Sequence, residues 1–438
     1  SLLQSFESLS LSRTQPICKA EMRFTWIFFC SLLLLTSGFT VFPAANASLG
    51  VNYGQIANNL PLPAQVVPLI KLIGATKVKL YDTNPRVLQA LVNSNIQVVV
   101  GLGNEYLHQM KDADKAEVWV RAHVQKYLPG TNITGITIGN EVLTSNGTVS
   151  IGALLPAMQG VHAALVKLGL DKQISVTTAH SLAILENSYP PSAGSFRRDL
   201  TGYLCPILAF LSKTGSPFFI NAYPYFAYKD SPDQISLNYV LFQKDRGTSD
   251  VSNNLHYDNM LFAQIDAVHS ALGSVGYAKI QVVVSETGWP SKGDQDELGA
   301  TPENAGKYNG NLIKLVNQKR TTPLAPSSDL NAYVFALFNE NLKPGPTSER
   351  NYGLFKPDGT PAYSLGLAGV GTPTVRNTST CCSPRSASPP PKPPTSPSPK
   401  TSSNGYMSIS SAANRCCWEW PAMVCCLNWI LVMWERRP

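Results

Sequence analysis

The sequence predicts an α/β protein built as a (β/α)8 TIM barrel, one domain between disordered termini. Three observations carry that reading. Eight strand-like runs recur between positions 49 and 340. Helical patterns lie between them, and two of the runs break off in a glutamate. Parallel strands buried on both faces read as near-continuous apolar runs, and eight of them joined by helices close into a barrel.

In chain order, the first run, 49–54, precedes a helical pattern at 63–73. The runs 77–82, 97–103 and 133–141 precede patterns at 86–92, 115–127 and 154–168. The fifth run, 173–180, leads into a longer and less regular connection over 182–215. The runs 217–223 and 280–286 precede patterns at 258–272 and 303–316, and 330–340 closes the set. A doubly wound open sheet is the alternative. The first strand-to-helix turn, Asn52-Tyr53-Gly54-Gln55-Ile56, lacks the glycine-rich phosphate fingerprint of such folds, and no P-loop occurs.

Charge and cysteines are distributed unevenly. The net charge of +7 suggests a basic surface until it is located. Between Ser48 and Gly371 there are 25 Lys and Arg against 24 Asp and Glu, so the central region has no electrostatic footprint for nucleic acid and suits a neutral polymer. Of nine cysteines only Cys205 falls there, which excludes a disulfide framework within the domain. Cys205 sits in the apolar stretch Leu204-Cys205-Pro206-Ile207-Leu208 and reads as packing rather than as a catalytic thiol.

The ends read differently. Positions 1–21 precede the first methionine, Met22, and look like translated upstream sequence. Arg23, the apolar run 24–35 and Ala45-Asn46-Ala47 form the three parts of a secretory signal peptide over 22–47, with cleavage expected after Ala47. That apolar run is too short to span a bilayer. The Pro/Ser-rich segment 372–409 is expected to be an extended linker, open to O-glycosylation. Over 410–438, small residues, a polar spacer and the apolar run 422–434 follow the order of a GPI-attachment signal, which would tether the protein to the plasma membrane. Asn428 and the terminal Glu435-Arg436-Arg437 depart from that pattern, and a disordered tail or a reading-frame artefact is the alternative. Asn132, Asn146 and Asn377 head N-x-[ST] triplets, acceptor sites for N-glycans once the chain is secreted to the cell exterior or wall.

The two glutamates carry the chemistry. Val282-Val283-Val284-Ser285-Glu286 and Ile136-Thr137-Ile138-Gly139-Asn140-Glu141 are strand-like runs that end in a carboxylate. A buried charge needs partners, and proteins keep such groups mainly where they do chemistry. In a barrel both would project from C-terminal strand ends into one mouth, the fourth strand facing the seventh. A salt bridge to a neighbouring helix explains one such glutamate, but two at equivalent positions point to a catalytic pair. Glycosidic hydrolysis needs this arrangement: one carboxylic acid protonates the leaving oxygen and one carboxylate acts from the other face of the sugar. Retention of configuration requires the pair to be ~5–5.5 Å apart. Asn140, beside the presumed acid, is placed to hydrogen-bond the hydroxyl next to the reacting carbon.

With those residues on view, the chain resembles the plant-type endo-1,3-β-glucanases of glycoside hydrolase family seventeen over roughly positions 49–369. The carrying segments are Gly50-Val51-Asn52-Tyr53-Gly54, Gly139-Asn140-Glu141-Val142, Asn221-Ala222-Tyr223-Pro224-Tyr225-Phe226, Ser285-Glu286-Thr287-Gly288-Trp289-Pro290 and Phe338-Asn339-Glu340-Asn341-Leu342-Lys343. The last leads into Glu349-Arg350-Asn351-Tyr352-Gly353-Leu354-Phe355. The resemblance implies a retaining barrel enzyme with a catalytic domain over 48–371, Glu286 as nucleophile and Glu141 as acid/base. It also implies that Glu340, Lys343 and Glu349 shape the site near the eighth strand. A charge network orienting the two main carboxylates is the other reading of those three.

Tyr53, Tyr223, Tyr225, Phe226 and Trp289 fall near expected strand ends, where rings can stack on apolar sugar faces. Tyr53 and Tyr223 are the leading subsite candidates, and packing is the alternative for the others. The six histidines are scattered with no H-E-x-x-H, so no metal and no cofactor are expected. The expected partner is a 1,3-β-glucan such as callose or a fungal wall polymer, bound by a monomer. Cleavage of mixed-linkage 1,3-1,4-β-glucan and transglycosylation are the competing chemistries. A glucan-binding protein without turnover would have lost one glutamate, and neither is lost.

Overall fold

The computed structural model describes residues 49–145 and 151–367. The eight expected strands form, and each pairs in parallel with its neighbours around a closed barrel. They are β1 (Gly50–Tyr53), β2 (Lys77–Leu80), β3 (Gln97–Leu102), β4 (Ile133–Asn140), β5 (Ser175–Ser181), β6 (Phe218–Asn221), β7 (Val282–Thr287) and β8 (Ala332–Val334). Helices α1 (Val66–Leu72), α2 (Pro85–Ala90), α3 (Ala113–His123), α4 (Leu154–Lys167), α5 (Arg198–Thr214), α6 (Met260–Ser274) and α7 (Pro302–Asn317) follow the first seven strands.

Helix starts are set by side-chain caps. Asn84, Asp112, Asn259 and Thr301 each accept a hydrogen bond from a backbone N–H in the first turn of α2, α3, α6 and α7. A cap of this kind stabilises a helix by about 1 kcal/mol and fixes where the preceding loop ends. The irregular fifth connection hides the long helix α5, which the sequence pattern did not reveal. Pro206 lies inside it, removing one backbone hydrogen bond, which normally costs about 3 kcal/mol. The helix persists because Leu200, Leu204, Ile207, Leu208 and Leu211 are buried along one face. A hairpin of Leu185–Asn187 with Ser195–Phe196 fills the rest of that connection. A second hairpin, Thr248–Asp250 with Leu255–Tyr257, precedes α6. The two excursions are tied where Asp250 accepts from the backbone N–H and the hydroxyl of Ser192 at 2.7 and 2.8 Å.

The barrel separates two cores. Strand residues such as Val51, Val78, Ile136 and Ile220 face outward onto the helices. Inside, Val99, Ala179, Phe219, Val283 and Tyr333 form a plug. Gly50 makes room for it, since a Cβ there would collide with the Tyr333 ring. One inward position further along, the interior turns polar: Asn52 follows Gly50, and Asn221 follows Phe219. The plug is thus the floor of a cup whose wall carries hydrogen-bonding groups.

Two strands break register just before their glutamates. Between Val284 and Glu286, β7 gains a residue on β6, so that Glu286 comes opposite Asn221. Between Thr137 and Asn140, β4 gains one on β5. Such bulges bend a strand and re-aim side chains.

Among the described residues no helix is long and apolar enough to cross a membrane. Asn132 is exposed at the start of β4, and Cys205 is half-buried within α5 with a free thiol. The upstream segment 1–21, the leader 22–47, Asn146, Asn377, the linker 372–409 and the tail 410–438 lie outside the described residues.

Candidate active site

The end of β4 is tightly specified. Gly139 has φ 67°, and a Cβ there would press on Val142 and Asn104. Glu141 itself sits in the left-handed region at φ 53°, ψ 30°. For a residue with a side chain that conformation costs on the order of 1–3 kcal/mol, and it persists only where the surroundings over-determine it. Here they do. The Glu141 backbone N–H donates to the Ala179 carbonyl at 2.8 Å. The Asn104 carboxamide clamps Asn140 from both sides, accepting from its N–H at 2.8 Å and donating to its carbonyl at 3.1 Å.

Glu141 and Glu286 are both buried, at 9% and 4% exposure, so each depends on protein partners. Glu141 Oε1 accepts from Asn221 Nδ2 at 2.8 Å. Asn221 Oδ1 in turn accepts from the Ser285 hydroxyl at 2.7 Å, and Asn52 Nδ2 donates to the Ser285 carbonyl at 3.0 Å. Glu286 is held by three donors. Lys79 Nζ and the Tyr81 hydroxyl reach its Oε1 at 2.9 and 2.7 Å, and the Tyr223 hydroxyl reaches Oε2 at 3.0 Å. Asn221 therefore links the pair, as donor to one glutamate and register partner of the other.

The electrostatics divide the two. Burial raises the pKa of Glu141 to about 7, and the negative charge of Glu286 adds to it, with a smaller push from Glu349. The Asn221 hydrogen bond and the charge of Lys79 pull the other way. Burial and Glu286 likewise drive the Tyr81 and Tyr223 phenols far above their ordinary range, so both remain protonated donors. A protonated carboxyl beside a carboxylate with satisfied oxygens is the arrangement an acid and a nucleophile or base require.

The three charged residues beyond β8 form a flank. Glu340 Oε1 accepts from the Ile56 N–H at 2.8 Å, and burial raises its pKa. Lys343 pairs with Glu349 at 3.3 Å and lies 4.3 Å from the Phe335 ring centroid. Phe335 meets Tyr81, Tyr223 and Tyr352 edge-on. Lys343 and Glu349 thus brace the rings that carry the Glu286 donors, which agrees with an orienting network.

The ring expectations need correction. Trp289 is 0% exposed, donates its indole N–H to the Gly299 carbonyl at 2.8 Å and packs against Tyr225, Tyr228 and Tyr308. It has no free face for a sugar. Tyr225 is equally buried. Tyr53, 2% exposed, meets Phe338 edge-on and is packing rather than a platform, with its phenol pushed up to about 12 by burial and by Asp82. Tyr223 acts through its hydroxyl on Glu286. Phe226 is half-buried beside Tyr223, and its ring remains a candidate wall. Asn140 is half-buried, and its side-chain oxygen, itself shielded from solvent, has no protein partner.

Sequence reasoning missed Lys79 and Tyr81 and gave Asn221 no role. The signal was the alternation Lys77-Val78-Lys79-Leu80-Tyr81, polar residues at every second position of a strand with both faces covered.

Comparison with known proteins agrees with this geometry. The sequence profile of glycosyl hydrolases family 17 matches residues 49–367. Glucan endo-1,3-beta-glucosidase 11 of Arabidopsis thaliana is 62% identical over 339 residues, 77% of this chain and 80% of that protein. The glucan endo-1,3-beta-D-glucosidase of Olea europaea is 40% identical over 376 residues, 85% of this chain and 79% of its own. Among solved structures, CJP38, a beta-1,3-glucanase and allergen of Cryptomeria japonica pollen, superposes with TM-score 0.69 at 41% identity, covering 73% of this chain and 98% of CJP38.

Proposed function

The chain belongs to glycosyl hydrolases family 17, and from that premise we propose that it cleaves internal 1,3-β-D-glucosidic linkages of 1,3-β-glucans by a retaining double displacement. The observation that carries this reading is the division of the carboxylate pair: Glu141 with its pKa raised to about 7, Glu286 gripped by Lys79, Tyr81 and Tyr223.

In the first step a Glu286 oxygen bonds to the anomeric carbon as the glycosidic C–O bond breaks. The bonding electrons leave on the glycosidic oxygen, which takes the proton of Glu141. In the second step Glu141, now a carboxylate, removes a proton from water, whose oxygen displaces Glu286 from the same carbon. Support for retention is the closeness of the pair: the Glu286 charge acts directly on Glu141, and Asn221, which donates to Glu141, stands level with Glu286 along the strands. The half-buried Asn140 amide, next to Glu141, suits the neighbouring sugar hydroxyl, a contact of the kind that tightens in the transition state. A near-neutral domain suits an uncharged polymer such as callose or a fungal wall glucan.

The test is reducing-end release from laminarin and lichenan, with the anomer of the first product read by NMR. The expected result is a clear preference for laminarin and a β-configured product. A first product in the α configuration overturns retention, and wild-type protein inert on both polymers overturns the function. The same reading puts the protein outside the cell, where such polymers lie. Recovery of mature chain starting at Ser48 from the wall fraction, and release from membranes by a phosphatidylinositol-specific phospholipase, test the leader and the anchor separately.

A further inference from the structure

Lys79 grips Glu286 but takes part in neither bond-making step above, and its placement is unusual. It is 1% exposed, on the inner face of β2, between Val78 and Leu80, which belong to the outer core. Its ammonium lies 2.9 Å from Glu286 Oε1 and 4.0 Å from the centroid of the Tyr81 ring. A buried ion pair is weak support for stability, since apolar residues of like volume often serve as well. Fold stability is therefore a poor account of a lysine at this depth.

We propose, resting on the two-glutamate reading above, that Lys79 is the positioning residue that fixes which glutamate attacks and which carries the proton. Two features support it. The donors on Glu286 are unequal: Oε1 receives the ammonium and one hydroxyl, while Oε2 receives a single hydroxyl. Charge-assisted hydrogen bonds are the stronger kind, so Oε1 is the anchored atom and Oε2 the one free to bond carbon. The second feature is the path of charge. When Oε2 bonds to the anomeric carbon, Glu286 loses its negative charge and Glu141 gains one by giving its proton to the leaving oxygen. Lys79 acts on both sites, as partner of Glu286 and as a charge that lowers the pKa of Glu141. The same buried cation thus balances the carboxylate before the step and after it. The charges facing Glu141 are Glu286 and Glu349, which hold its proton on, and Lys79, which loosens it; the neutral Asn221 amide acts in the same sense as Lys79.

The experiment compares wild type, Lys79→Met and Lys79→Arg on laminarin across pH, with thermal unfolding as a check of folding. For Lys79→Met we expect kcat to fall roughly 100-fold, the scale for losing one preorganised electrostatic contact, with KM changed by no more than about threefold. Its alkaline limb moves to higher pH, because the cation that loosens the Glu141 proton is gone. Lys79→Arg, which keeps the charge, recovers about tenfold of the loss on the same electrostatic grounds and holds the wild-type alkaline limb. A purely structural lysine would change Tm and leave the limb in place. Full kcat in Lys79→Met, or a lost kcat with an unmoved limb, overturns the proposal. If Lys79→Met does not fold, Lys79→Gln, which removes the charge but keeps a polar side chain, takes its place under the same two overturning outcomes. Inactive wild-type protein would instead refute the two-glutamate reading, so the two failures are distinct.

Discussion

Glu141 and Glu286 are the same side chain at the ends of two barrel strands three steps apart, and the protein treats them differently. Glu286 receives three donors, one of them a cation, from β2, from the residue following it and from the start of the β6 connection. Glu141 receives one neutral amide and stands on a left-handed backbone. The richer shell suits a charge that must be present and aimed. The poorer one, in a buried setting, suits a proton that must be held and then released. The division of labour therefore lies in the neighbours rather than in the glutamates.

The most severe way to break this contrast is Glu286→Gln, which keeps the shape but removes the nucleophile. Turnover of laminarin should fall by roughly 10⁴–10⁶-fold, the range for losing a covalent catalyst, measured as reducing ends. Glu141→Gln should cost about 10²–10⁴-fold on the polymer, the usual worth of general acid–base catalysis, and much less on an aryl glycoside whose leaving group needs no proton. Equal losses on both substrates would contradict the assignment.

Asn221→Ala sharpens the comparison by removing the amide that donates to Glu141. Because that hydrogen bond lowers the Glu141 pKa, its loss should move the alkaline limb of kcat/KM upward. In the wild type that limb should lie near pH 7, activity declining above it as the acid loses its proton. The smallest effect expected is on stability. The Glu141 pKa is raised on folding from 4.5 to about 7, so the folded state binds more protons than the unfolded one between those values. Stability from this group is therefore full below the lower value and declines as pH rises through the upper one. Glu141→Gln should accordingly be more stable than wild type at pH 8, by roughly 1–3 kcal/mol, and the gain should vanish near pH 4. Denaturant titrations at the two pH values check this, and a gain equal at both would count against it.

Much of the barrel was legible because parallel strands covered on both sides are largely apolar, as β3 and β7 are, although β2 alternates with Lys77 and Lys79. Both glutamates were legible as breaks in such runs. Helix α5 was not, since Pro206 interrupts its pattern and burial of five leucine and isoleucine side chains overrides the local signal. The rings were over-read for a different reason. Nearness to a strand end does not say which way a ring turns. Trp289 turns inward, where Gly299 offers its carbonyl and three tyrosines surround it. Asn221 and Lys79 reach glutamates 80 and 207 positions away, and no local pattern encodes such distances.

The added residue in β7 has a consequence for how this catalytic centre can be altered. Strict alternation from Val283, which faces the plug, would send Ser285 inward and Glu286 outward among the helices. Ser285 acts as a half-step that reverses the parity of everything after it, so Glu286 comes level with Asn221 while Thr287 turns out to Tyr308. A β7 that kept Ser285 but lost the bulge would retain every catalytic atom in the polypeptide and aim the nucleophile at the wrong side of the wall.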